Sequence, residues 1–222
     1  MSKLFHLASL FLPPSFFISQ TSEAVFTDIY KKRAWGKNEL GEGSSGRGSD
    51  FAYAKEYIQF LENFLNQFSI QSVVDVGCGD WGLSKYINWA GISYLGYDVV
   101  KHIIAKNRDT FSSPTIHFIH ADALYADLPL ADLLICKDVL QHLPHDDIFL
   151  FLSQIHKFKH CLITNDVDPS TLTSKNYPIP YRGGYRYLDL TRPPFNVAGS
   201  KVLTYKSDIW IKQILHIKNI EE

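Results

Sequence analysis

Cysteine is scarce in this chain. Cys78, Cys136 and Cys161 are the only 3 among 222 residues, odd in number and widely spaced. That excludes a disulfide framework, and without paired Cys or Cys/His spacing it also excludes a structural zinc site. The 9 histidines are dispersed, with no H-E-x-x-H, so no metal is expected. Neither sign of charge is in excess: 22 Lys plus Arg face 23 Asp plus Glu, a net charge of -1. Such a balance lacks the footprint of general nucleic-acid binding, and no nucleic-acid partner is expected. Long apolar runs are missing as well. Residues 4–18 come nearest, but they are too short to span a membrane and are interrupted by Pro13-Pro14. They resemble a weak secretion signal with a poor cleavage site near Ser22-Glu23-Ala24. The competing expectation is an aromatic segment that packs on the domain. No internal repeat occurs, and neither does the Gly-x-Ser-x-Gly of a nucleophile elbow.

What is present is globular: 45% hydrophobic, 14% aromatic and 20% charged residues, in a chain long enough for a sizeable core. Residues 26–35 suit a short helix. The run Gly41-Glu-Gly-Ser-Ser-Gly-Arg-Gly-Ser49 is a loop by composition, either a linker or a cover over a site. Ser49 or Asp50 could cap a helix over 51–68, where Phe51, Ala54, Ile58, Leu61, Phe64, Leu65 and Phe68 recur at helical spacing. Short apolar runs follow at 72–77, 94–98, 116–121, 132–136 and 161–164. Helical segments lie between them at 82–89, 99–110 and 145–158. Runs without period-2 alternation suit strands buried on both faces, so the expected fold is α/β, a doubly wound, mostly parallel sheet. Residues 202–205 and 209–217 would add a C-terminal antiparallel hairpin. The domain boundary falls after the cover loop, giving 1–49 and 50–222.

The strongest local signal is Val73-Val-Asp-Val-Gly-Cys-Gly-Asp-Trp-Gly82. Gly77, Gly79 and Gly82 match G-x-G-x-x-G, with Asp98 about twenty residues on, where an acid can bond ribose hydroxyls. An NAD(P)-dependent oxidoreductase would show the same pattern. The neighbouring acids argue otherwise. Asp80 would repel a pyrophosphate at the helix end that a dinucleotide uses, and Asp75, Asp98, Asp122 and Asp138 fall on the same sheet edge. A cationic ligand without phosphate, such as S-adenosylmethionine, has the opposite preference.

These residues resemble class I S-adenosylmethionine-dependent methyltransferases. Val74-Asp-Val-Gly-Cys-Gly-Asp80 is similar to their first motif, Tyr97-Asp98 to the second, His120-Ala-Asp-Ala123 to the third and Asp132-Leu-Leu-Ile-Cys-Lys-Asp-Val-Leu-Gln-His-Leu143 to the fourth. The resemblance spans roughly 70–166, in order. The flanks, Trp35-Gly36 with the Ser/Gly loop and the later Gly-Gly-Tyr-Arg and Pro-Pro-Phe, resemble a bacterial small-molecule subgroup. The resemblance implies a Rossmann-like methyltransferase fold with S-adenosyl-L-methionine as cofactor. It places Asp75, Gly77 and Gly79 at the methionine end, Asp98 at the ribose, Asp122 and Ala123 at the adenine, and Lys137 or Asp138 near the methionine moiety.

Methyl transfer from a sulfonium is mainly a matter of holding the acceptor in line, and a base is needed only where a hydroxyl must lose its proton. His142 and Asp166, at the ends of the fourth and fifth strands, are the catalytic candidates. Residues 177–195 are rich in Pro, Gly, Tyr and Arg and suit an acceptor loop, with Tyr181, Arg182, Tyr185 and Arg186 as binding residues. The expected activity is methylation of a small molecule, on oxygen. A non-catalytic nucleoside-cofactor binder is a further alternative. Cofactor supply favours the cytoplasm, and the apolar N-terminus favours secretion.

Overall fold

The computed structural model describes residues 21–168 and 176–219; the signal-like stretch at 4–18 lies outside them. The described residues open with α1 (Ser22–Lys31), whose N-cap Thr21 accepts from the Ala24 N–H. The glycine-rich loop follows, and then α2 (Lys55–Gln67). Tyr57, Ile58, Leu61, Phe64 and Leu65 form the buried stripe of α2. Neither Ser49 nor Asp50 caps this helix. Short 3-10 turns at Arg47–Ser49 and Phe51–Tyr53 come first, and Ala54 precedes α2 without a side-chain cap.

From there strands and helices alternate: β1 (Ser72–Val76), β2 (Ser93–Asp98), α3 (Lys101–Phe111), β3 (Ile116–His120), β4 (Ala131–Lys137), α4 (His145–Leu152) and β5 (Phe158–Val167). The chain ends in β6 (Ser200–Ser207) and β7 (Trp210–Lys218). They form a 7-stranded sheet in the order β3-β2-β1-β4-β5-β7-β6. All pairings among β1–β5 are parallel, and β7 runs antiparallel to both β5 and β6. The doubly wound sheet and its C-terminal hairpin are therefore as the sequence predicts.

Successive strand residues enter opposite layers. Val73, Tyr94, Leu133 and Leu162 pack with α2, while Val74, Tyr97, Leu134 and Ile163 pack with α4 and Leu188. Each fully buried aliphatic side chain contributes roughly 1.5–3 kcal/mol, which makes the two-sided burial of these strands the main stabilising term. Two predicted helices come out differently. The segment 82–89 holds only a 3-10 turn at Ser84–Tyr86, because Trp81 takes a left-handed φ of 55° and Gly91 soon turns the chain again. The helix predicted at 145–158 ends at Leu152, since β5 already begins at Phe158, paired with Ala131.

Candidate functional site

The glycine turn after β1 is shaped by its backbone. Gly77 and Gly79 have φ of 74° and 55°, a region that L side chains rarely adopt. A Cβ on Gly77 would lie 2.3 Å from Val139 Cγ2, and one on Gly79 would lie 2.2 Å from Ser45 Oγ. The N–H groups of Gly77 and Cys78 donate to the Tyr97 carbonyl (2.8 and 3.0 Å), and the Gly79 carbonyl accepts from buried Asn107 of α3 (2.8 Å). The turn is thus fixed against β2 and α3. No α-helix lies between β1 and β2, so the anion cradle that a dinucleotide pyrophosphate would use is absent at this turn. Asp80 occupies the local donors instead: its carboxylate accepts from the Ser45 and Gly82 N–H groups and from the Ser45 hydroxyl.

Beyond the carboxyl ends of β1, β2 and β4 lies a cleft. Gly77, Gly79, Asp98, Asp122, Ala123 and Lys137 all line it. Asp98 accepts from the Gly79 and Val100 N–H groups (3.0 and 2.9 Å), and burial pushes its carboxyl up to about 6. Asp122 accepts from the Leu124 N–H. Lys137 donates to Asp138 (2.5 Å) and to the Gly48 carbonyl (2.8 Å), so its charge is already compensated. Asp75 stands apart from these. It is buried and lines a smaller adjoining cavity, where its carboxylate accepts from the Tyr94 hydroxyl at 2.6 Å. Burial raises it to about 6. Trp81 packs on Tyr94, Phe111 and Phe118, with none of its ring in the main cleft.

The 3-10 turn Leu140–His142 after β4 places His142 in the cleft wall, between Trp35 and Tyr185. A carbonyl can only accept, so the 2.7 Å contact from Nδ1 to the Gly184 carbonyl puts the imidazole proton on Nδ1. Nε2 then carries the free lone pair. Burial holds this imidazole below its usual 6.5, which keeps it neutral at pH 7. Asp166 does not face the cleft. It is 2% exposed and accepts from Lys212 (2.6 Å), Gln141 (3.1 Å) and the Tyr185 hydroxyl (3.1 Å). The arginines are engaged too. Arg182 makes a forked ion pair with Asp147 (2.6 and 2.8 Å) and donates to Tyr125, and the hydrogen bonds to Asp147 raise its guanidinium further. Arg186 is buried, donates to the Leu143 carbonyl, and is pushed down to about 10 by burial. Tyr181 and Tyr185 are exposed.

Some contributors were not legible in the sequence. Lys212 of β7, directly opposite Asp166 in the strand register, bridges Asp138 (2.8 Å) and Asp166. Burial would raise the Asp138 carboxyl, but Lys137 and Lys212 outweigh it and hold Asp138 well below the usual carboxylate range. The only sequence signal of Lys212 is a lone cation among Ile211, Ile214 and Leu215. Phe26, Tyr30 and Trp35 supply one wall of the cleft. The loop 41–49 lies over the glycine turn, tied by Ser45 to Asp80 and Tyr30, by Gly48 to Lys137, and by Arg47 to Asp208 (2.6 Å). Among the described residues no helix is long and apolar enough to cross a membrane, and no acidic, His or Cys cluster could hold a metal ion.

Residues 73–159 match a family described as a methyltransferase domain. No curated protein matches the chain. Among solved structures, it is similar to the magnesium protoporphyrin IX methyltransferase of Synechocystis PCC 6803, crystallised with bound SAH. That match has a TM-score of 0.62 at 14% identity and covers 90% of this chain and 100% of the other. It is also similar to the N-methyltransferase NodS of Bradyrhizobium japonicum WM9, in complex with S-adenosyl-L-homocysteine. There the TM-score is 0.64 at 17% identity, covering 87% and 99%. Human N-acetylserotonin methyltransferase, in complex with SAM, gives a TM-score of 0.56 at 19% identity, covering 90% of this chain and 61% of the other. At these identities the shared property is the fold. The domain and the fold bear out the resemblance seen in the motifs.

Proposed function

We propose that this chain, a methyltransferase domain on the class I methyltransferase fold, is an S-adenosylmethionine-dependent enzyme that methylates a small molecule on oxygen. One observation carries the cofactor assignment: a glycine turn with acids at its edge and no helix N-terminus behind it. That environment favours a cationic ligand over a pyrophosphate, and it weighs against the NAD(P) alternative. The residues fit the group. Backbone positions made narrow by Gly77 and Gly79 would admit the methionine end, Asp98 the ribose, and Asp122 with Ala123 the adenine. Asp75, behind the turn, would add negative potential from its own cavity, and Lys137 with Asp138 would close the methionine side.

Bound there, the cofactor supplies a methyl group on sulfur with a neutral thioether as leaving group. The chain then has to position an oxygen and accept its proton. His142 suits the role of proton acceptor, since its Nδ1–H is held by Gly184, Nε2 is left free, and the ring is neutral at pH 7. Asp166 acts through Tyr185, whose hydroxyl it holds, and is a positioning residue. The loop 41–49 serves as the cover. Cofactor supply favours the cytoplasm as its compartment.

Thermal-shift titration with S-adenosylmethionine, S-adenosylhomocysteine, NAD and NADP tests this reading. The two sulfur ligands should raise Tm with concentration, by mass action. Stabilisation by a dinucleotide alone would sink the proposal. Methyl-donor consumption with any acceptor would exclude the non-catalytic alternative.

A further inference from the structure

We infer that the acceptor is an uncharged ring compound bearing hydroxyl groups, held along a row of aromatic side chains that leads out of the cleft. This rests on the methyltransferase reading. The row is Trp35, His142, Tyr185 and Tyr187, with successive ring centroids 5.0, 5.9 and 5.7 Å apart. Trp35 and His142 line the cleft. Tyr185 and Tyr187 stand 45% and 40% exposed, while the alternate residues Arg186 and Leu188 are buried. The extended backbone therefore turns the two tyrosines outward together.

That backbone is fixed before any ligand arrives. The Gly183 N–H donates to the His142 carbonyl (2.9 Å), the Arg186 N–H to Gln141 (3.3 Å) and the Leu188 N–H to Asp166 (2.9 Å). Pre-ordered rings bind at low entropic cost. Solvent-facing tyrosines in a row present ring faces for stacking and hydroxyls for hydrogen bonds. A flat or ring-shaped acceptor with hydroxyl groups matches both features, and its innermost hydroxyl would reach His142.

Charge decides between a neutral and an anionic acceptor. Binding a carboxylate or phosphate calls for a cation with donors to spare. Arg182 is forked onto Asp147. Arg186 donates to the Leu143 carbonyl and keeps Nε and Nη1 without partners, but its side chain is buried on the inward side of the segment that turns Tyr185 and Tyr187 outward. Lys137 and Lys212 are paired with Asp138 and Asp166. Three of these four cations are already paired with acids and the fourth, Arg186, is turned inward, so none meets an anion at the row. Asp166, the acid that touches the row through Tyr185, is neutralised by Lys212, so a cationic acceptor finds no partner there either.

The test is saturation-transfer NMR on the full chain with S-adenosylhomocysteine present, using phenol, cellotriose, benzoate and glucose 6-phosphate as probes. Phenol, cellotriose or both should receive saturation, and the choice between them tells an aromatic acceptor from a sugar. Tyr187→Ala should weaken that probe about tenfold, with S-adenosylhomocysteine affinity as the check that the variant is folded. A response from benzoate or glucose 6-phosphate equal to that of the neutral probes overturns the inference. So does silence from both neutral probes, or unchanged probe affinity in Tyr187→Ala. The two readings fail separately: a wild-type chain that ignores S-adenosylhomocysteine defeats the methyltransferase reading, whereas one that binds it but prefers anions defeats only this one.

Discussion

Asp75 is a buried acid that costs the fold stability. Its carboxyl is 5% exposed, has one side-chain donor in Tyr94, and is pushed up to about 6. A raised folded pKa means that folding disfavours the charged form. The penalty grows as pH rises from 3.8 to about 6, is full above that, and disappears below 3.8. Asp75→Asn keeps an acceptor for the Tyr94 hydroxyl and removes the charge. It should stabilise the fold by about 1–3 kcal/mol at pH 8 and by almost nothing at pH 4. Urea denaturation at both values decides it, and a loss of stability at pH 8 contradicts the account. Affinity for the cationic cofactor should fall in the same variant, a trade often seen at binding sites. At this scale the motifs made Gly77, Gly79, Asp98 and Asp122 legible, because their positions follow from the ends of strands. The partners of Asp80 and Asp166 were not legible. Ser45 lies 35 residues away from the first and Lys212 lies 46 from the second, and only the folded register brings them together. Arg182 and Arg186 illustrate the same limit: their type suggested anion binding, while Asp147 occupies the first and the second is buried with one bond to the Leu143 carbonyl.

At the scale of elements, the buried strands were legible since both of their faces are apolar, and local spacing suffices for that. The missing helix after the glycine turn was not, because its apolar residues Leu83, Ile87 and Trp89 are buried from an irregular backbone as well as they would be from a helix. The C-terminal hairpin does more than end the sheet. Through Lys212 it inserts a cation between partly buried Asp138 and buried Asp166, after β4 and in β5. Lys212→Met would leave Asp138 with Lys137 alone and Asp166 with no cation. The expected loss is about 3–5 kcal/mol, with Lys212→Arg retaining much of the stability, both read from denaturation midpoints. A loss below about 1 kcal/mol would mean that the bridge is solvated and does not organise the site.

Over the whole molecule, the order β3-β2-β1-β4-β5-β7-β6 reverses direction between β1 and β4, and the cleft opens at that switch point, as ligand sites in open α/β sheets do. The near-equality of 22 basic and 23 acidic residues conceals a division of charge. Asp98 and Asp122 line the cleft, while Lys137, Arg182 and Lys212 are paired with acids and Arg186 is buried. A cationic cofactor and a neutral acceptor are what such a surface would select. The most direct measurement is calorimetric titration of S-adenosylhomocysteine into the wild type and into Asp98→Ala. One site per chain is expected, with affinity at least about tenfold weaker in the variant because a charged hydrogen bond to the ribose is lost. Equal affinity in the two proteins, or no binding to the wild type, would contradict the placement of the cofactor in this cleft.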